Sequence, residues 1–166
     1  MRYGTRTHCR RRWSRKGRRP VCKVKIGYKW AYLYVALCPY TGDVFACLLS
    51  HLNKVCFDIF IKEFKKHLIK EEIITHHDKL LIIGDGASAH QKQLVEKYGL
   101  EWEKLPAACP ELNPVERFFE ELRKFTANEV FEDIEQIENL IDKLVNEYIC
   151  NPTAVCKLTL FPYLNT

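Results

Sequence analysis

The sequence predicts a mixed α/β fold in which a sheet is covered by helices. Three observations point there. The first third of the chain carries apolar and aromatic runs separated by turn residues, the middle switches to helical spacing, and from residue 80 onward short apolar runs alternate with helical stretches. At 166 residues, a single domain spanning 1–166 is expected. Such a chain buries roughly two-thirds of its unfolded surface.

The elements follow in order. Residues 1–8 read as the tail of a strand or a turn at Gly4, and residues 9–20 as a basic loop closed by Gly17 and Pro20. Residues 21–26 alternate apolar and basic side chains, which predicts a strand with one wet face. Aromatic and aliphatic residues over 30–37 predict a central strand. Pro39, Thr41 and Gly42 supply a turn, and residues 44–50 a third strand, completing a β-meander. Asn53 then suits a helix N-cap, and Phe57, Phe60, Ile61, Phe64 and Leu68 form one helical stripe with Lys62, Lys65 and Lys66 off it. Residues 80–83 are wholly apolar, as in a strand buried on both faces. A helix over 89–97, a strand over 100–105, a loop marked by Pro106 and Pro110, a helix from Asn113 toward Asn128 and a last helix over 132–149 complete the chain. This order fits a ribonuclease-H-like core, in which chemistry gathers at the carboxyl ends of strands.

Composition narrows the partners. Hydrophobic residues make up 47% and charged residues 28%, as in a soluble globular protein. No apolar run approaches the ~20 residues of a bilayer span, and the arginine-rich start lacks a secretory apolar segment. The expected place is the cytoplasm, at the nucleoid, with no membrane partner. The eight cysteines include no Cys-x-x-Cys pair, and several sit inside apolar runs, so they read as reduced, small hydrophobes. The net charge of +5 hides an asymmetry. Eleven of the 26 lysines and arginines fall within residues 1–25, which hold no acid, leaving 15 basic against 21 acidic residues beyond. Arg10, Arg11, Arg12, Arg15, Lys16, Arg18 and Arg19 surround Trp13. Such a cluster suits a phosphate backbone, since the charges release counterions and the indole can stack on a base. A solvated arm without a partner has the same composition.

Two acidic segments carry the chemistry. Asp85 ends the apolar run at 80–83, between Gly84 and Gly86, whose small size lets a metal or a phosphate approach the backbone. Glu116 falls in the first turn of the helix from Asn113. Carboxylates at the ends of rigid elements are what a magnesium-dependent phosphoryl-transfer site needs. Each also has a plainer role: Asp85 as a turn residue, and Asn113, Pro114 and Glu116 as a capping box.

Taken together, Asp85-Gly86-Ala87-Ser88-Ala89-His90 and the segment from Leu105 to Glu116, with Pro110-Glu111-Leu112-Asn113-Pro114-Val115-Glu116 at its end, are more specific. They resemble the DDE transposases of bacterial insertion sequences related to the mariner superfamily. That family carries Asp-Asn-Ala-x-x-His after a strand and, about thirty residues on, Leu-Pro-Pro-Tyr-Ser-Pro-Glu-Leu-Asn-Pro-x-Glu. Residues 2–5, the basic loop, Gly27-Tyr28-Lys29, Tyr32-Leu33-Tyr34, Thr41-Gly42 and the tail from Leu158 to Tyr163 match as well. The resemblance implies a Mg²⁺-dependent endonuclease and strand transferase, with Mn²⁺ as a substitute, acting on transposon terminal inverted repeats and target DNA. It implies that Asp85 and Glu116 are catalytic metal ligands, supported by His90 and Asn113, that the basic loop binds DNA, and that the full-length protein is a homo-oligomer.

There are departures. Gly86 stands where the family has Asn, and Ala107, Ala108 and Cys109 where it has Pro-Tyr-Ser. The family's first catalytic Asp, in an Asp-Glu pair, maps upstream of Met1, and no acid precedes Asp43. The expectation is a domain incomplete at its N-terminus, with the first strand largely missing and the isolated chain inactive. The alternative is a non-catalytic DNA-binding or regulatory transposase fragment. A different ribonuclease-H-like nuclease is disfavoured by the Pro-Glu-Leu-Asn-Pro-x-Glu segment.

Overall fold

The computed structural model describes residues 1–75 and 78–162, so the matching tail residue Tyr163 lies outside the described residues. Three strands, β1 (Arg2–Gly4), β2 (Trp30–Leu37) and β3 (Val44–Leu49), form an antiparallel sheet in that order. The register pairs Tyr3 with Ala31 and Leu37 with Val44. Met1 continues the first ladder, its carbonyl accepting from Leu33 N at 2.8 Å.

The central strand fixes the layers. Ala31, Leu33, Val35 and Leu37 point to one face, and Tyr32, Tyr34 and Ala36 to the other, the period of two that a strand imposes. On the first face lie three helices, α3 (Pro114–Thr126), α4 (Ile134–Ile149) and α5 (Pro152–Thr159). They contribute Phe118, Leu122, Ile137, Ile141, Leu144 and Val155 to one core. On the second face, α1 (Lys54–Lys70) brings Phe57, Phe60, Ile61, Phe64 and Leu68 to another core. That second core also covers the parallel pair β4 (Leu81–Gly84) and β5 (Glu101–Lys104), with α2 (Lys92–Glu96) beside it. Among the described residues, no helix is long and apolar enough to cross a membrane.

Helix starts follow from local chemistry. Asn53 Oδ1 accepts from Cys56 N at 2.8 Å and Asn113 Oδ1 from Val115 N at 3.2 Å, each satisfying an amide left without a carbonyl partner in the first turn. At α4 the cap is reciprocal: Asp133 Oδ1 accepts from Gln136 N at 2.9 Å, and Gln136 Oε1 accepts from Glu132 N at 3.0 Å. Helix α5 is not among the elements the sequence predicts, although Asn151-Pro152 repeats the cap-and-proline signal of Asn113-Pro114.

Three expectations are corrected. Residues 21–26 form no strand; β1 is the first strand of the meander instead. Thr5 N bonds Lys29 O and Thr7 N bonds Lys25 O, each at 3.1 Å, so two residues on one side face four on the other and the ladder breaks. Gly27 lies against Thr5 in that bulge, and Val21, Val24 and Ile26 are exposed. Strand β4 is covered on one face only, with Leu81 and Ile83 exposed, because the second core covers only the face that carries Ile82 and Trp102. The helix expected over 89–97 spans only Lys92–Glu96, its start having no side-chain cap.

Phe118 is fully buried in the core under β2, edge-on to Tyr148. Phe118→Ala is expected to cost about 3–5 kcal/mol, read as a lower urea midpoint. A loss under about 1 kcal/mol would mean that α3 is not anchored there.

Candidate active site

The two acidic segments meet. Asp85 and Glu116 line one cleft of about 190 Å³, together with Gly86, Asn113 and the loop 105–110. Asp85 leaves the carboxyl end of β4, and Glu116 is the third residue of α3. Proline at the helix start and the Asn113 cap fix that first turn, so the backbone bearing Glu116 is rigid. Asn113 therefore caps the helix and lines the cleft at once. Glu111 falls in the 3₁₀ turn Pro110–Leu112, outside the cleft lining.

Asp85 is braced from behind. Its Oδ1 accepts from His90 Nδ1 at 2.6 Å and from Ala87 N at 3.2 Å. These donors, His90 first, hold the Asp85 carboxyl below the usual carboxylate range against an opposing effect of burial. The imidazole is itself held by aromatic rings, with Phe57 at 4.6 Å, Trp102 at 6.1 Å and Tyr34 at 6.5 Å between centroids. His90 thus ties Asp85 to the core under α1.

Glu116 has a partner that the sequence expectations do not include. Arg123 Nη1 lies 3.7 Å from Glu116 Oε2, while its guanidinium sits 5.9 Å from the Phe119 ring. Seven residues is two helical turns, which places both on one face of α3. That spacing is the available signal. Arg123, Glu116 and Asp85 all act on the Met1 ammonium, whose pKa is lowered to about 5, chiefly by burial.

The glycines beside Asp85 have occupants other than a ligand. A β-carbon at residue 84 would overlap the Trp102 ring, and one at residue 86 would overlap the end of Lys104. Both intruders come from β5, whose register sets Lys104 beside Gly84. The expected room for a metal or phosphate is room for neighbouring side chains.

The basic residues stand elsewhere. Residues 11–20 form an exposed arm between β1 and β2, with Arg10 half-buried at its base, and Trp13 is fully exposed. The neck of the arm is tied to the connection between α3 and α4. Arg10 N donates to Asn128 Oδ1 at 2.9 Å, Asn128 N to His8 O at 2.8 Å, and Lys25 Nζ to Glu132 O at 2.7 Å. Glu116 and the helix end at Thr126 are ten residues apart, so the neck lies beyond ~15 Å of helix from Glu116. Among the described residues, no group of three or more His, Cys, Asp or Glu side chains is placed to hold a metal ion.

A family model described as DDE superfamily endonuclease matches residues 1–138. No curated protein matches the chain. Among solved structures, the chain is similar to the Mos1 transposase paired-end complex with left transposon end, at 14% identity and TM-score 0.67, covering 95% of this chain and 50% of that one. The Mos1 mariner paired end complex with Mn gives 17% identity and TM-score 0.66, covering 95% and 51%. The Mos1 strand transfer complex gives 15% identity and TM-score 0.57, covering 95% and 50%. The chain spans about half the length of these structures. At this identity the likeness fixes the fold, which is ribonuclease-H-like and mixed α/β, with two small sheets flanked by helices.

The bracing of Asp85 sets a pH response. A carboxyl with a depressed folded pKa adds stability above its unfolded pKa and loses it as pH falls through the folded one. In His90→Ala the Asp85 titration, followed by carboxyl ¹³C NMR, is expected to move up toward the ordinary range. An unmoved titration would show that His90 does not hold the charge.

Proposed function

The chain belongs to the DDE superfamily of endonucleases, and from that premise we propose that it is the catalytic domain of a transposase of the insertion-sequence kind. Its reaction is phosphodiester hydrolysis and strand transfer on DNA. The observation that carries this reading is the meeting of Asp85 and Glu116 in one cleft, at a strand's carboxyl end and in a helix's first turn. Its substrates are transposon terminal inverted repeats and target DNA, in the cytoplasm at the nucleoid, and it works as a homo-oligomer when full length.

The donor set suits a hard divalent cation. Two carboxylates reach one cleft, and hydrogen bonds from His90 and Ala87 keep Asp85 ionised. Asp85 and Glu116 are the residues that would hold Mg²⁺, or Mn²⁺ in its place. When bound, such ions supply Lewis acidity at the attacking and leaving oxygens. The chain's own part is positioning. His90 orients Asp85 by its hydrogen bond, Asn113 and Pro114 hold the first turn of α3, and Arg123 offsets the charge of Glu116. The exposed arm, with Arg10, Arg11, Arg12, Arg15, Lys16, Arg18 and Arg19, draws in the duplex backbone.

A second reading, a DNA-binding or regulatory transposase fragment, is favoured by one observation: the described residues offer two carboxylates and no third protein ligand. A two-ligand set holds the metal weakly, so the isolated 166-residue chain is expected to leave a transposon-end duplex uncut in Mg²⁺. Mg²⁺-dependent cleavage that disappears in Asp85→Ala would overturn that expectation.

Two measurements test the main reading. Water-proton relaxation with Mn²⁺ should show weak binding, reduced at least tenfold in Asp85→Asn and in Glu116→Gln; equal binding in all three proteins would remove the metal site. Duplex affinity should fall steeply with salt, and neutralising Arg10, Arg11 and Arg12 should lower the log–log slope by about 0.9 for each phosphate left without its arginine. An unchanged slope would take the arm out of DNA binding.

A further inference from the structure

We propose that Lys104 is a phosphate-contacting residue at the edge of the cleft, its ammonium lying over Gly86, the residue that follows Asp85. This rests on the transposase reading of the same site and adds a substrate contact to it.

The seat is built by the parallel pair. Residues 102 and 104 project to the same face of β5, two residues apart. They lean over Gly84 and Gly86 in turn, the two glycines that bracket Asp85. Lys104 Nζ lies 2.9 Å from the point where a β-carbon of residue 86 would stand. Any other residue at 86 would claim that space and push the flexible end of the lysine aside. Gly86 itself lines the cleft with Asp85 and Glu116.

Charge gives the seat a purpose. Two carboxylates repel a DNA backbone, and the arm's arginines arise beyond the far end of α3, ~15 Å of helix from Glu116. Arg123 is engaged with Glu116. Lys104 is exposed at the end of β5, and its ammonium forms no ion pair among the described residues. It is a compact point charge on a flexible stem, beside a glycine that lines the cleft. A lysine in that place gives a charge-assisted contact to a non-bridging oxygen.

The contact makes opposite demands on two ligands. An ammonium near Asp85 helps a phosphate bind and hinders a divalent cation. The experiment compares the 166-residue chain with K104Q, with G86A, and with K143Q as a charge-matched control on α4. In G86A the lysine is kept but its flexible end is pushed aside. Anisotropy of a fluorescein-labelled duplex of about 20 base pairs in Ca²⁺ gives affinity and salt slope, and Mn²⁺ relaxation without DNA gives metal affinity.

The expected result for K104Q is duplex binding weakened about three- to tenfold, a salt slope lower by about 0.9, and Mn²⁺ bound about two- to threefold tighter. G86A should lose duplex affinity in the same direction, while K143Q should match the parent in both assays. Duplex affinity in K104Q equal to that of K143Q, with arm variants still weakened, would overturn the role of Lys104 and leave the transposase reading standing. Unchanged Mn²⁺ affinity in K104Q would do the same. A parent chain that binds neither duplex nor Mn²⁺ would end both proposals.

Discussion

Burial of Phe118 and Leu122 against the three-stranded sheet is the contact on which the rest depends. Those two side chains seat α3, and α3 carries one residue of every functional feature along its length. Its cap, Asn113, and its first turn, with Glu116, belong to the cleft. Two turns on, Arg123 reaches back to Glu116. Just beyond its end, Asn128 grips the neck of the basic arm. A helix that shifted on the sheet would move cleft and arm together, because one rigid rod sets the distance between them.

The cleft also joins two cores. Glu116 stands on the helix packed under β2, in the core of α3, α4 and α5. Asp85 takes its orientation from His90, and His90 from Phe57, Trp102 and Tyr34 in the core of α1. The central strand separates these two cores, and its alternating side chains feed both. Neither carboxylate is set by its neighbours in sequence alone. Their common cleft is the product of both packings, so damage to one core would misplace one carboxylate while leaving the other in position.

Much of this is legible in the sequence, and the failures have physical causes. The stripe of Phe57, Phe60, Ile61, Phe64 and Leu68 is read directly by the helical period, and Asn53 and Asn113 by cap chemistry. The strand expected at 21–26 fails because alternation reports a potential face, not whether a second layer exists to cover it; Val24 and Ile26 face solvent. The four apolar residues at 80–83 suggest double burial for the same reason. Arg123 is readable from its spacing to Glu116, and α5 from Asn151-Pro152. Lys104 is not readable, since its relation to Gly86 exists only through the register of β4 and β5. The glycines flanking Asp85 show the limit clearly: sequence reports the absence of a side chain, but only tertiary packing says which neighbour fills the space.

The three tryptophans divide the molecule into optically distinct stations. Trp13 stands fully in water on the arm, Trp30 lies partly exposed under Arg2 at the start of β2, and Trp102 is inside the core beside the His90 ring. Excited indoles emit at longer wavelength in water than in an apolar setting. The red side of the emission band therefore belongs to the arm and the blue side to the core behind Asp85, and one spectrum reports both regions without an added dye.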